Sequence, residues 1–436
     1  MKFYDRENEL ALLAGIQKKS LLAAQMTFVV GRRRIGKTSL LIKSSENERC
    51  VYLFVARKNE ALLCNEFVDE IKQQLKVEVF GDFKTFNTLF AYLMELSKTL
   101  HFTLIIDEFQ EFISINPNIY SDMQHSWDSR KSESKINLIL CGSIYALMKK
   151  IFENAKEPLF GRATNRIHLK AFNITTLKKI LTDHYPTFTK EDLLTFYLTT
   201  GGVAKYVELL TDSGSFTYDS ILHEIFSEHS LFLDEGKNVL IDEFGKDYAN
   251  YFSILSLIAT SKTSRVEIES VLGMNIGGFL DRLENDFGLI TKIRPMFAKP
   301  GSRSIKYQIH DNFLNFWFRF IYKYRGAIEI GNLPYVTEIV KRDYTMYSGR
   351  ILEKYFVEKM ILEGNYSQIG SWWEKSNQNE IDIVAINEND KKIVFAEVKR
   401  QAMNINQALL VGKANTLAMQ FKDYSIEYQY LSMDDM

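Results

Sequence analysis

Short apolar runs and helical stretches alternate along residues 26–170. The runs Thr27–Val30, Val51–Val55, Thr103–Ile106, Asn137–Cys141 and Ile167–Leu169 are β-rich, and such alternation predicts a parallel sheet covered by helices. From Ile174 to about Tyr248 the pattern is mostly helical, broken by Gly201–Gly202 and by Asp-Ser-Gly-Ser at 212–215. Helical stretches near Tyr251–Ala259, Arg265–Leu272 and Ile276–Asn285 then precede two strand-like runs, Leu289–Arg294 and Ser304–Ile309, around Lys-Pro-Gly-Ser-Arg. Three helices followed by a hairpin predict a winged helix. A loop-prone stretch, Gly326–Pro334, leads into a last block with a helix at Ser348–Glu363. Strands at Glu380–Asn387 and Ile393–Lys399 follow, then a helix near Gln407–Phe421. The chain is expected to be a multidomain α/β protein divided at 1–172, 173–248, 249–325 and 326–436.

Chemistry first appears where an apolar strand, TFVV, meets a helical pattern, TSLLIKSS. Between them Gly31, Gly36, Lys37 and Thr38 satisfy G-x-x-x-x-G-K-[ST] in full. Glycines let successive backbone N–H groups face a phosphate, and the helix N-terminus adds partial positive charge. Gly31, Arg32, Arg33, Arg34, Ile35, Gly36, Lys37, Thr38 and Ser39 are therefore the expected nucleotide-binding residues. Lys37 is expected to bridge β- and γ-phosphate oxygens and Thr38 to ligate Mg²⁺. The side chains of Arg32–Arg34 are given no catalytic role. Asp107 and Glu108 end the strand TLIIDE; Asp107 is expected to hold Mg²⁺ through its water shell, Glu108 to polarise the attacking water. Ser143, after the strand INLILCGS, is a candidate γ-phosphate sensor, with a loop-capping serine as the alternative. Arg162, in LFGRAT, is a candidate arginine finger acting in cis or in trans, with a surface ion pair as the alternative.

These residues resemble the archaeal-type ATPases within the AAA+/STAND group of P-loop proteins. FYDRENELALL at Phe3–Leu13 is similar to the family's opening Arg-Glu box, LILCGS and LFGRAT to its later strand motifs. TGGVAKYVELL at Thr200–Leu210 resembles its helical-lid signature, and YQIHDNFLNFWFRFI at Tyr307–Ile321 the segment closing its winged helix. The resemblance spans nearly the whole chain. It implies an ATP-driven switch with a P-loop parallel-sheet core and a helical lid, nucleotide binding between the two.

A second constellation lies near the C-terminus. Glu353 falls on a predicted helix, Asp382 on the run EIDIVA, and Glu397 and Lys399 on FAEVK. Glu397 and Lys399 are two apart, so both leave one face of a strand. An Asp and a Glu on neighbouring strands suit a hard cation such as Mg²⁺, and the lysine can stabilise phosphate charge or activate water. This is the D…E-x-K arrangement of restriction-endonuclease-like nucleases, and the block resembles the C-terminal domain of that type in the same family. The strand reads Glu380-Ile381-Asp382, without a proline before the aspartate. Glu353, Asp382, Glu397 and Lys399 are the catalytic candidates, with Asp382 and Glu397 holding metal. For Trp372–Trp373 a packed aromatic pair is preferred over base stacking.

Composition narrows the setting. The chain has 436 residues, 46% hydrophobic and 25% charged, ordinary globular values. A net charge of −1 supplies no overall field towards nucleic acid or anionic membranes, so DNA would have to be met by local patches. The presumed wing offers Lys292, Arg294, Lys299, Arg303 and Lys306 without an acid, whereas the recognition helix carries Asp281, Glu284 and Asp286 beside Arg282. A winged helix used for packing is the alternative. Cys50, Cys64 and Cys141 show no disulfide or zinc spacing, and the start MKFYDRENEL has no signal-peptide run. A cytoplasmic protein is expected, with ATP and Mg²⁺ as cofactors, DNA as a candidate partner, no membrane contact, and a homo-oligomer open. The leading reading is an ATP-hydrolysing switch coupled to a nuclease-like, DNA-directed domain. The competing one is a signalling ATPase whose outer domains bind nucleic acid or protein without cleavage.

Overall fold

Five of the apolar runs become the strands of one sheet: β1 (Gln25–Val30), β2 (Cys50–Phe54), β3 (Phe102–Asp107), β4 (Ile136–Cys141) and β5 (Asn165–His168). In this computed structural model, which describes residues 2–299, 301–302, 304–374 and 379–436, they lie in the order β2-β3-β4-β1-β5. Every neighbouring pair is parallel. Helices cover both faces of such a sheet, which favours mostly apolar strands, and every residue of β3 and β4 is buried. Alternate residues serve opposite faces. Met26, Phe28, Val30, Leu104 and Ile106 join one core, while Val29, Ile105, Ile139 and Cys141 join the other. Burial of each large side chain contributes roughly 1.5–3 kcal/mol. This sheet and its helices make up one of two compact units, Tyr4–Ala171.

The other unit holds Met1–Phe3 and Phe172–Met436. It starts with the helices Ile174–His184, Lys190–Thr200, Ala204–Asp212, Tyr218–Ile225 and Phe232–Phe244. Lys190–Thr200 is started by a reciprocal cap between Thr189 and Asp192, and Gly201 and Gly202, both at positive φ, end it. Helices Tyr248–Ala259, Arg265–Leu272 and Gly277–Asp281 then lead to an antiparallel hairpin, β6 (Ile290–Ile293) and β7 (Lys306–Ile309). The last part has a four-stranded sheet, β8 (Gln368–Trp373), β9 (Glu380–Asn387), β10 (Lys392–Val398) and β11 (Ser425–Leu431), in the order β11-β10-β9-β8. β9 pairs antiparallel with both neighbours, and β10 pairs parallel with β11 through the crossover helix Gln407–Ala418.

Two expectations need correction. The helix expected at Ser348–Glu363 runs from Leu333 to Glu363, over ground read as a loop up to Pro334. Pro334 lies in the first turn, where a missing N–H costs nothing, and Asn332 caps that turn by accepting from Tyr335 N. The edge strands β8 and β11 were not expected at all. Gly370 and a register shift interrupt β8, and β11 is exposed or half-buried along its length, so neither has a continuous apolar signal. Among the described residues, no helix is long and apolar enough to cross a membrane.

Candidate functional sites

The phosphate loop leaves the C-terminal end of β1 and enters the helix Lys37–Ser44. Gly36 caps that helix at φ 93°, in the left-handed region that glycine enters without steric cost. A Cβ on Gly31 would stand 2.8 Å from the Leu169 carbonyl oxygen, so the strand end leaves no room for a side chain there. Ile35 is buried and fastens the loop to the core, whereas Arg34 and Ser39 are exposed. Lys37 is buried, and its ammonium donates to the carbonyl oxygens of Gly31 (2.8 Å) and Arg32 (3.0 Å). A cation is thus held inside the concavity where the loop N–H groups would meet an anion.

Asp107, the last residue of β3, faces this loop. Its Oδ2 accepts from Thr38 Oγ1 at 2.9 Å and from Tyr52 OH at 2.6 Å, and its Oδ1 from Glu108 N at 2.9 Å. Burial pushes the Tyr52 phenol well above its ordinary pKa, and the neighbouring Asp107 raises it further. The Thr38 hydroxyl and Asp107 carboxylate form a hard oxygen pair, the donor chemistry Mg²⁺ requires. Glu108, at φ 53°, accepts on Oε2 from Ser143 Oγ (2.6 Å) and Gln110 Nε2 (2.5 Å). Thr38 and Asp107 therefore meet, and Ser143 stands beside Glu108. Tyr52 and Gln110 were missed. Tyr52 is one hydroxyl in a mostly apolar strand and Gln110 one amide among the acids that follow β3, weak signals until the strand order is known.

Arg162 is elsewhere. It precedes β5, whose start pairs with the start of β1: Thr164 N donates to Met26 O, and Asn165 is in register with Thr27. The phosphate loop follows the other end of β1, roughly 15 Å away at about 3.3 Å per residue. The guanidinium instead pairs with Asp128 at 3.3 Å and donates to Phe160 O. The structure therefore does not bring Arg162 to the phosphate loop.

The C-terminal candidates also converge. The Lys399 ammonium lies 2.7 Å from Glu397 Oε1 and 3.3 Å from Asp382 Oδ2, bridging the carboxylates of β10 and β9. Asp382 Oδ2 also accepts from Val398 N at 2.8 Å. Lys413, on the crossover helix and missed in the sequence, stands 3.5 Å from Glu397 Oε2. Burial raises the Glu353 carboxyl to about 8, with the Asp382 and Glu380 charges adding to it. Burial likewise raises Asp382, against the Val398 N–H and Lys399. Among the described residues no three acidic, histidine or cysteine side chains are grouped to hold a metal ion. The cations beside Asp382 and Glu397 are the Lys399 and Lys413 ammoniums.

The hairpin of the three-helix segment packs on this sheet. Met296 N donates to Ser371 O (2.9 Å), Trp373 Nε1 to Ser304 Oγ (2.8 Å), and Phe297 meets Phe421 with centroids 5.1 Å apart. Lys306 pairs with Glu380 at 3.0 Å and lies over the Trp373 ring, and Lys292 pairs with Glu284. Arg294 and Lys299 are exposed; Arg303 lies outside the described residues. Trp373 is buried and Trp372 packs against the sheet core, so both serve packing.

Residues 3–210 match the family described as an ATPase domain predominantly from Archaea, and residues 317–410 one described as Archaea bacterial proteins of unknown function. An uncharacterized protein of Methanocaldococcus jannaschii, MJECL04, is 30% identical over 408 residues, 91% of this chain and 87% of that protein. Among solved structures, the Walker-type ATPase PABY2304 of Pyrococcus abyssi has a TM-score of 0.54 at 17% identity, over 72% of this chain and 96% of its own. The ORC2 protein of Aeropyrum pernix has a TM-score of 0.50 at 15% identity, over 78% and 96%. At these identities the two structures establish a shared fold.

Proposed function

The chain belongs to the archaeal-type ATPase family, and from that premise we propose that its phosphate loop works as a Mg²⁺-dependent, ATP-hydrolysing switch. The observation that carries this reading is the 2.9 Å contact between Thr38, inside the loop, and Asp107, on a separate strand. ATP would draw the Lys37 ammonium from the Gly31 and Arg32 carbonyls to its β- and γ-phosphate oxygens, while loop N–H groups bind the β-phosphate. Mg²⁺, when bound, supplies charge neutralisation between those phosphates. Thr38 would ligate it directly and Asp107 through water. Glu108 would orient the attacking water, and Ser143, hydrogen-bonded to Glu108, would register the γ-phosphate. Calorimetry should show Lys37→Ala lowering ATP affinity by about tenfold to a hundredfold, the scale of a charge-assisted contact. Undiminished uptake by that variant would sink the reading.

For the unit Phe172–Met436 we propose a further division into a helical lid (173–248), a winged helix (249–325) and a restriction-endonuclease-like domain (326–436). Its Asp382–Glu397–Lys399 group, backed by Glu353, acts on DNA phosphodiesters. What supports this is the single ammonium bridging two carboxylates on adjacent strands. Mg²⁺- or Mn²⁺-dependent cleavage of a DNA duplex should disappear on Glu397→Ala and on Lys399→Ala; cleavage surviving both removes them from the mechanism.

The packing of the hairpin against β8 favours a second reading, in which the outer domains bind a partner without cutting it. It predicts nucleotide-dependent assembly, into homo-oligomers or with DNA, and no cleavage with any divalent metal.

A further inference from the structure

Tyr52 donates its hydroxyl to Asp107 Oδ2, the oxygen that also receives Thr38. It stands on β2, the outermost strand of its sheet on that side, where backbone groups have no neighbouring strand on one flank. At Tyr52 a side chain takes the neighbour's part: Tyr52 N donates to Gln74 Oε1 at 2.8 Å, and Gln74 Nε2 reaches Tyr52 O at 3.5 Å. On its other flank Tyr52 is in register with Ile105 of β3, two residues before Asp107. The ring packs against the core cluster that contains Leu40 and Leu41 of the phosphate-loop helix. The hydroxyl is thereby placed by the sheet, by Gln74 and by the loop helix together.

From this geometry we infer that Tyr52 is a positioning residue for the metal-binding carboxylate. It sets the rotamer of Asp107 so that Mg²⁺ meets an oriented acceptor. The inference rests on the ATPase reading above and adds to it a residue outside both phosphate motifs. Asp107 takes one donor on Oδ1, the Glu108 N–H, and two hydroxyls on Oδ2. If Thr38 were to turn its oxygen to a bound cation, the Tyr52 hydroxyl would still hold Oδ2, with the Cys141 thiol also beside the carboxylate.

The test uses the full chain and Tyr52→Phe, which keeps the ring and removes the hydroxyl. ATP affinity is measured by calorimetry in EDTA and across a Mg²⁺ titration, with hydrolysis followed over the same Mg²⁺ range. We expect affinity in EDTA to stay within about twofold and the half-saturating Mg²⁺ concentration to rise about fivefold to tenfold, as for loss of one bond to a charged group. A purely structural role would lower both affinities or the melting temperature and leave Mg²⁺ half-saturation unchanged, and that result overturns the inference. If the unaltered chain shows no Mg²⁺-enhanced ATP binding, the ATPase reading itself falls, a distinct outcome. Should Tyr52→Phe not fold, Gln74→Ala carries the same test, with a rise of about twofold to threefold expected. An unchanged Mg²⁺ response there overturns it equally.

Discussion

Glu353 shows how much a single carboxyl can depend on its surroundings. It lies half-buried on the helix Leu333–Glu363 near Asp382, and its pKa rises from 4.5 to about 8. Between those values the folded chain holds a proton that the unfolded chain has released, so stability falls as pH rises through that window. Melting temperatures in EDTA should therefore drop for the unaltered chain between about pH 5 and about pH 8, and Glu353→Gln should flatten the slope. Equal slopes would place the charge in water. Legibility at this scale was uneven. Gly31–Ser39 could be read directly because a phosphate cradle is contiguous in sequence. Tyr52, Gln110 and Lys413 could not, because each matters only through a partner that strand pairing or a crossover helix brings near.

Elements were legible where one signal dominated. The strands β3 and β4 are buried from end to end and mostly apolar, and both were found nearly to the residue. The start of the helix at Leu333 was lost because Pro334 reads as a breaker in sequence, yet is at home in a first helical turn. Gly202 marks the opposite case, a stop that sequence announces and packing enforces. It sits at φ 71°, and an added Cβ would come 2.0 Å from the Phe172 carbonyl oxygen. Gly202→Ala should destabilise the unit by more than about 1 kcal/mol in urea titrations, because strain at positive φ and a backbone clash add together. A change within about 0.5 kcal/mol would mean that the segment at Phe172 yields freely.

Over the whole molecule, chain connectivity decides which groups can act together. Arg400 directly follows Lys399, pairs with Glu191 on the helix Lys190–Thr200, and donates to Ser348 Oγ at 2.6 Å. The helical segment expected to be the lid is in this way tied to the strand end that carries the C-terminal cluster. Glu191→Ala and Arg400→Ala should each lower stability, and the double variant should reveal a coupling of about 1 kcal/mol, as for a half-buried ion pair. Purely additive losses would show that the pair is screened by solvent.

Sequence by itself determined the parallel sheet, the phosphate loop and the identity of the acidic pair after β3, because local spacing and period are enough to encode them. Tertiary structure decided which end of the sheet each side chain occupies. Asp107 and Tyr52 share the loop end, while Arg162, as promising in sequence, falls at the far end beside Asp128. The same holds for the hairpin cations, one of which, Lys306, is held by Glu380 and Trp373. Strand order and direction are long-range properties, and residues far apart in the chain carry no mark of which of them will meet.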